Sequence, residues 1–319
     1  MTPSDAVSIV PAGTLVCGMQ LPVAAQSATF VQPWEGAAGA AEMRRVAEVA
    51  EAAGLFYLAV SDHIAVPRAH AAAMSTVWYD AIATLGFLAA ATRRIRLMSY
   101  VWVAPYRHPL VTAKAFASLD ALSGGRVILG VGAGHVEAEF AALGIDFRRR
   151  GALLNESIDL VVAAWRDEYP VHDGPAFPVR DLGQQPRPLQ QPRPPIWIGG
   201  STPAALRRVA ERGDGWLPQG VPEMGMPAAI ELIRAQRRKT RGDARIDLGM
   251  NAPWLHIGQA ACDAPNTRTG SNAELAEIFR AIKRLGVQHC GIRFRSRSCD
   301  ELCDQIAAFG ADILPLINQ

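Results

Sequence analysis

Charge is scarce in this chain of 319 residues: 19% are Asp, Glu, Lys or Arg, and the formal net charge is +2. The small basic excess comes from arginine far more than lysine, and both signs are mixed along the chain. No stretch is set apart for nucleic acid or an anionic membrane, so neither is expected as a partner. Cysteine is sparse as well. The five, Cys17, Cys262, Cys290, Cys299 and Cys303, are odd in number and form no CxxC pair, which argues against a disulfide framework. Cys299 and Cys303 stand close enough for one helix face, but no nearby His or Cys completes a metal clip, and no metal is expected. Buried thiols in a reducing cytosol are the expectation. A run of about 18 apolar residues is missing. Residues 1–14, which include Asp5, lack a basic start followed by an apolar core. A soluble, cytoplasmic protein is expected.

What the chain has in quantity is apolar surface. Half of its residues are hydrophobic, enough for a large core and inconsistent with disorder. Eight short runs, at 14–21, 55–60, 95–103, 127–131, 195–198, 214–217, 248–257 and 287–294, have strand length and are apolar at most positions. Helical stretches lie between and after them, at 39–53, 79–91, 111–122, 136–143, 203–212, 226–238, 273–285 and 299–309. Strands that are apolar throughout and separated by helices require a parallel sheet covered on both faces, either a closed barrel or a doubly wound open sheet. The even spread of about eight units, with no linker or composition shift, favours a (β/α)8 TIM barrel, an α/β fold, as one domain over 1–319. Residues 167–195 are proline-rich and lack helical periodicity; they read as a surface insertion between units four and five, able to cover the barrel mouth.

In such a barrel the reactive site lies at the carboxyl ends of the strands. After the second strand come Ser61, Asp62 and His63, a carboxylate and an imidazole suited to acid–base work or metal ligation, or to capping and packing. After the fourth come Gly130-Val-Gly-Ala-Gly-His135, whose glycines let backbone N–H groups approach an anion or a flat ring. The spacing misses the GxGxxG of dinucleotide folds and sits mid-chain, so NAD binding of that kind is not expected. After the fifth, Ile198-Gly-Gly-Ser-Thr-Pro203 offers two glycines, two hydroxyls and a helix start, either a phosphate cradle or a tight turn. After the eighth, Arg293, Arg295 and Arg297 alternate, suited to a phosphate, a carboxylate or water. Trp78 and Trp102 are pocket-lining or core residues.

Taken in order, Val60-Ser-Asp-His63, Thr92-Arg-Arg-Ile-Arg-Leu97, Pro105-Tyr-Arg-His-Pro109, Leu119-Asp-Ala-Leu-Ser-Gly-Gly-Arg126, Leu129-Gly-Val-Gly-Ala-Gly134, Glu139-Phe140, Pro195-Ile-Trp-Ile-Gly-Gly-Ser201 and Gly213-Asp-Gly-Trp216 form a specific series. It resembles the bacterial luciferase-like family, in particular the branch that depends on the deazaflavin coenzyme F420. The resemblance implies a (β/α)8 barrel, often a homodimer, holding F420, or alternatively FMN, in its mouth. It places Asp62 and His63 beside the cofactor ring and substrate, with His63 moving a proton. It implies a non-proline cis peptide within Ser99, Tyr100 and Val101 behind the ring. Gly132, Ala133, Gly134 and the adjoining His135 fall at the ribityl chain, and Gly199, Gly200 and Ser201 at the phosphate. His135 and the bulky Tyr100 depart from the family's usual residues. The C-terminal third matches in pattern only, so Arg293 and Arg295, with Trp78 and Trp102, stand as substrate-binding candidates. The expected activity is hydride transfer between F420 and a small organic substrate. The alternatives are a reduced-FMN monooxygenase, a catalytically silent cofactor-binding barrel, and a metal-dependent hydrolase using Asp62 and His63 with His108 or His256.

Overall fold

A computed structural model describes residues 6–258 and 264–319; Asp5 and Cys262 lie outside the described residues. The strands are β1 (Val16–Gln20), β2 (Tyr57–Val60), β3 (Arg96–Ser99), β4 (Trp102–Val103), β5 (Val127–Gly132), β6 (Ile196–Gly199), β7 (Gly215–Leu217), β8 (Asp247–Leu255), β9 (Thr267–Arg268) and β10 (His289–Phe294). They pair in parallel in the order β10-β1-β2-β3-β5-β6-β7-β8, and β10 also pairs with β8, which closes the ring. β4 resumes the line of β3 and pairs with β5, so β3 and β4 together form one of eight staves. β9 pairs in parallel with the end of β8 and takes no part in closing the ring. This is the expected closed barrel.

The helices are α1 (Ala40–Ala52), α2 (Ala71–Met74), α3 (Ala81–Ala91), α4 (Pro109–Ser123), α5 (Glu137–Ala142), α6 (Arg150–Arg166), α7 (Pro203–Arg212), α8 (Met226–Arg241), α9 (Asn272–Arg284), α10 (Cys299–Ala308) and α11 (Leu314–Ile317). Local chemistry sets several ends. Thr202 accepts the Ala205 N–H ahead of α7, with Pro203 in its first turn, and Ser271 with Glu274 forms a capping box on α9. α4 stops at Gly124, whose φ of +73° is left-handed. No described helix is long and apolar enough to cross a membrane.

Three expectations need correction. The run 95–103 is two short strands, broken between Ser99 and Trp102, where the Tyr100–Val101 peptide is cis. α6 was not anticipated: positions 160–165 are buried throughout, so no helical periodicity stands out there. The proline-rich segment does not cover the mouth. It climbs the outside of α4 and α6 and returns: the Phe177 N–H meets Glu156, Gln184 meets the Leu110 carbonyl, and the Leu189 and Gln190 amides meet Asp120.

Period-two alternation divides the strands between two layers. Leu58, Val60, Leu97, Leu129, Val131, Ile196 and Ile198 pack outward under the helices, whereas Tyr57, Ala59, Met98, Ile128, Trp197 and Leu217 fill the interior. Low in that interior the His289 ring stacks on Trp197 at 4.1 Å, and its Nε2 lies 3.0 Å from the Trp216 carbonyl oxygen. Gly215 and Gly249 make this possible, because a Cβ at either would overlap the Trp197 or His289 ring. Burial pushes the His289 imidazole down to about 3. The unfolded chain takes up this proton near 6.5 and the folded chain does not, so folding stability falls as pH drops from about 6.5 towards 3, by up to about 1.4 kcal/mol per pH unit. His289→Gln is expected to flatten this slope in urea melts between pH 6.5 and 4; an identical slope in both proteins would refute the assignment.

The opposite end of the barrel from the mouth is closed by the segment 7–10. The Val7 N–H donates to Asp214 (3.0 Å), and the Ser8 hydroxyl (2.7 Å) and Ile9 N–H (2.8 Å) donate to Asp247. Asp214 also receives two bonds from Arg193, at 2.6 and 3.1 Å. Ile9 and Val10 pack on the interior side chains from below.

Candidate functional site

β2 delivers Ser61, Asp62 and His63 to the mouth, but its two ionisable groups have different surroundings. Asp62 is buried, and its oxygens accept from Arg107 Nη1 (2.7 Å), Arg107 Nη2 (2.9 Å) and the Val103 N–H (2.9 Å). Arg107 in turn lies 3.6 Å over the Trp102 ring. This fork-to-fork pair ties the end of β2 to β4 and the approach to α4. Asp62 is therefore a positioning residue, which corrects its expected acid–base role: both oxygens are occupied by protein donors. Trp102 is likewise no pocket residue. It is buried, its indole N–H donates to Thr112 Oγ1 (3.1 Å), and its ring meets Phe116.

His63 lies at the mouth with its side chain largely buried and Nδ1 2.7 Å from Glu139 Oε2. Glu139 Oε1 accepts the Ile64 (2.9 Å) and Ala65 (3.1 Å) amides, and the Tyr106 hydroxyl donates to Oε2 at 3.0 Å. Burial alone would raise this carboxyl, but the bonds from His63 and the two amides outweigh it and hold Glu139 below the usual carboxylate range. A carboxylate on Nδ1 selects the Nδ1–H tautomer and leaves the lone pair on Nε2. The rings of Trp78, at 4.4 Å, and His135, at 5.6 Å, flank the imidazole. Burial, followed by the neighbouring His63, lowers His135, which keeps it neutral at neutral pH. Glu139, Tyr106 and Arg107 were visible in the sequence only as parts of the motif series. Glu139 lies 76 residues from His63, and no spacing rule links them.

Behind this pair, Ser99 Oγ donates to the Gly130 carbonyl (2.8 Å) and accepts the Gly130 N–H (3.1 Å), so its hydroxyl joins β3 to β5 and does not face a ligand as expected. The Tyr100 ring turns into the barrel, where its hydroxyl meets the Asn251 amide at 3.2 Å. Val101 sits between two glycines: a Cβ on Gly132 would lie 2.5 Å from its Cγ2, and one on Gly199 2.8 Å from its Cγ1. The glycines keep the sides of Val101 clear and leave its isopropyl group as an apolar shelf. A shelf bounded by glycine-lined strand ends fits a flat ring, and Ala133 and Gly134 continue the edge.

The Gly199–Ser201 turn is partly committed. Gly200, at φ +114°, donates its N–H to the Leu217 carbonyl (3.1 Å), and Ser201 Oγ accepts the Gln219 N–H (3.0 Å) and donates to the Gly220 carbonyl (3.3 Å). In the first turn of α7 Pro203 has no N–H and the Ala205 N–H is bonded to Thr202 Oγ1, so an anion at this turn would draw on the Ala204 N–H. Arg293 lines a narrow cavity inside the barrel with Gln20, Tyr57, Tyr100 and Asn251, and Arg295 lies against Trp254. Arg297 is exposed and paired with Glu301.

Among the described residues no group of three His, Cys, Asp or Glu side chains is arranged to hold a metal. The ring nitrogen Nδ1 of His108 accepts the Leu110 N–H, and Nδ1 of His256 meets the Arg295 carbonyl; neither joins Asp62 and His63.

A luciferase-like monooxygenase family model matches residues 19–261, and the chain belongs to that family. Relatives in it divide by cofactor. An F420-dependent glucose-6-phosphate dehydrogenase of Beutenbergia cavernae is 37% identical over 173 residues, covering 53% of this chain and 49% of that protein. An FMNH2-dependent dimethylsulfone monooxygenase of Pseudomonas putida is 28% identical over 240 residues, covering 74% of this chain and 61% of its own length. The crystal structure of monooxygenase RslO1 from Streptomyces bottropensis shares the fold, with a TM-score of 0.76 at 20% identity over 94% of this chain and 99% of that one.

Proposed function

We propose that the chain is an F420-dependent oxidoreductase that passes a hydride between the deazaflavin and a small organic substrate. The pairing of His63 with Glu139 carries this reading. Hydride movement at a carbon bonded to oxygen or nitrogen requires a proton to be placed on, or taken from, that heteroatom, and His63 Nε2 is the group to do so. F420 supplies the hydride when bound. The chain would hold it by residues already named: Val101 and Gly132 to Gly134 for the ring and its chain, and Gly199 to Ser201 with the Ala204 N–H for the phosphate. Trp78 and His135 wall the His63 ring from bulk water. The higher identity to an F420-dependent relative supports F420 over FMN.

Calorimetric titration of the purified chain with F420 and with FMN tests this. Micromolar F420 binding with much weaker FMN binding is expected; the reverse overturns the cofactor assignment. A reduced-FMN monooxygenase is the second reading, favoured by the longer match to the FMNH2-dependent relative. Substrate-dependent oxygen consumption with reduced FMN would select it. A homodimer belongs to the same proposal, and light scattering should give twice the 34.2 kDa chain mass.

A further inference from the structure

The end of β10 presents two guanidinium groups that no described carboxylate neutralises. Arg293 lies 3.9 Å from the centre of the Phe30 ring and 6.0 Å from that of Trp254, and Arg295 lies 3.9 Å from the same Trp254 ring. Arg293 donates to the Gln20 carboxamide oxygen (3.3 Å), and Arg295 Nε is buried without a hydrogen-bond partner among the described residues. Their neighbour Arg297 is the contrast, being exposed and paired with Glu301. Guanidinium groups stay charged at neutral pH, and two such charges around one indole repel each other in the free protein. Stacking on Phe30 and Trp254 stabilises each charge in part, and an anion beside the pair would relieve their repulsion.

The pair sits on the reacting side of the barrel. Gln20 also donates to Ser61 Oγ (2.5 Å), and Ser61 donates to the Tyr100 carbonyl oxygen (3.0 Å) of the peptide that leads into the Val101 shelf. Ser61 is two residues from His63. With Phe30 against its face and one Nη2 hydrogen on Gln20, the Arg293 guanidinium has its other N–H groups for a carboxylate, and the rings of Phe30 and Trp254 provide apolar walls for the organic part.

We propose that Arg293, with Arg295 beside it, binds a carboxylate on the substrate, so that the preferred substrates are organic anions. This rests on the reading of the barrel mouth as the reaction site. Arg293 is a specificity-determining residue, not a proton-transfer one.

The test is calorimetry on the full chain with sodium acetate, benzoate and octanoate against the matching amides, without cofactor and again saturated with F420 or FMN. At least one carboxylate is expected to bind at least tenfold more tightly than its amide. Arg293→Gln should weaken that carboxylate at least tenfold and Arg293→Lys by less, with cofactor affinity within twofold of the parent. Because no described carboxylate pairs with Arg293, the Tm of Arg293→Gln should stay within about 5 °C of the parent. Equal binding of acids and amides, carboxylate binding untouched by Arg293→Gln, or cofactor affinity falling in step with it would overturn the proposal. So would a Tm loss above about 5 °C, the mark of a structural arginine. Cofactor binding with no carboxylate binding overturns this inference alone. Carboxylate binding through Arg293 without affinity for either cofactor supports it and sinks the cofactor reading.

Discussion

His63→Gln is expected to lower kcat by about 10²–10⁴-fold while cofactor affinity stays within a few-fold, because positioned proton transfer contributes about that much. The imidazole's polar contact is the 2.7 Å bond to Glu139, with the Trp78 and His135 rings beside it. Glutamine keeps a donor for Glu139 but offers no titrating nitrogen. Glu139→Gln removes the charge that selects the tautomer and should cost about 10–100-fold in kcat. Its effect should appear in kcat more than in KM, since Glu139 is buried behind His63. Stopped-flow absorbance of the cofactor during a single turnover reads the hydride step directly. Undiminished single-turnover rates in His63→Gln would remove this histidine from the chemistry.

The largest expected loss of stability comes from the other end of the barrel. Asp214 is wholly buried and accepts from the Val7 and Ile196 amides and from Arg193, with Arg241 Nη1 3.8 Å away. Asp214→Asn removes the buried carboxylate that Arg193 is bonded to and that Arg241 faces. Breaking one partner of a buried pair costs about 3–5 kcal/mol, here roughly 10 °C in Tm. Asp300, whose pair with Arg45 is exposed on both sides, provides the control: Asp300→Asn should cost no more than about 1 kcal/mol. Calorimetric melts of the two variants side by side check the contrast, and equal losses would contradict it.

These two residues also mark how far the sequence could be read. The eight apolar runs and the helices between them revealed the barrel because a parallel sheet covered on both faces leaves a near-continuous apolar signature. α6 escaped because its buried second half erases the periodicity that reveals a helix. His63 was legible from its place after β2. Its partner was not, since Glu139 reaches it only through the packing of α5 against the mouth. Asp62 and Ser99 were misread in the same way: both sit at strand ends where ligands bind, but their side chains are bonded to Arg107 and Gly130, contacts that only folding creates. Trp102 looked like a pocket residue until Thr112 and Phe116 enclosed it.

The segment 7–10 has a temporal meaning as well as a spatial one. Its acceptors Asp214 and Asp247 stand 207 and 239 residues later in the chain. Contacts that distant are the slowest to form, because a long loop must close before they can be made. The barrel's lower end thus stays open through most of synthesis, waiting on residues still to be added. Segment 7–10 is therefore among the last parts of the barrel to find its place.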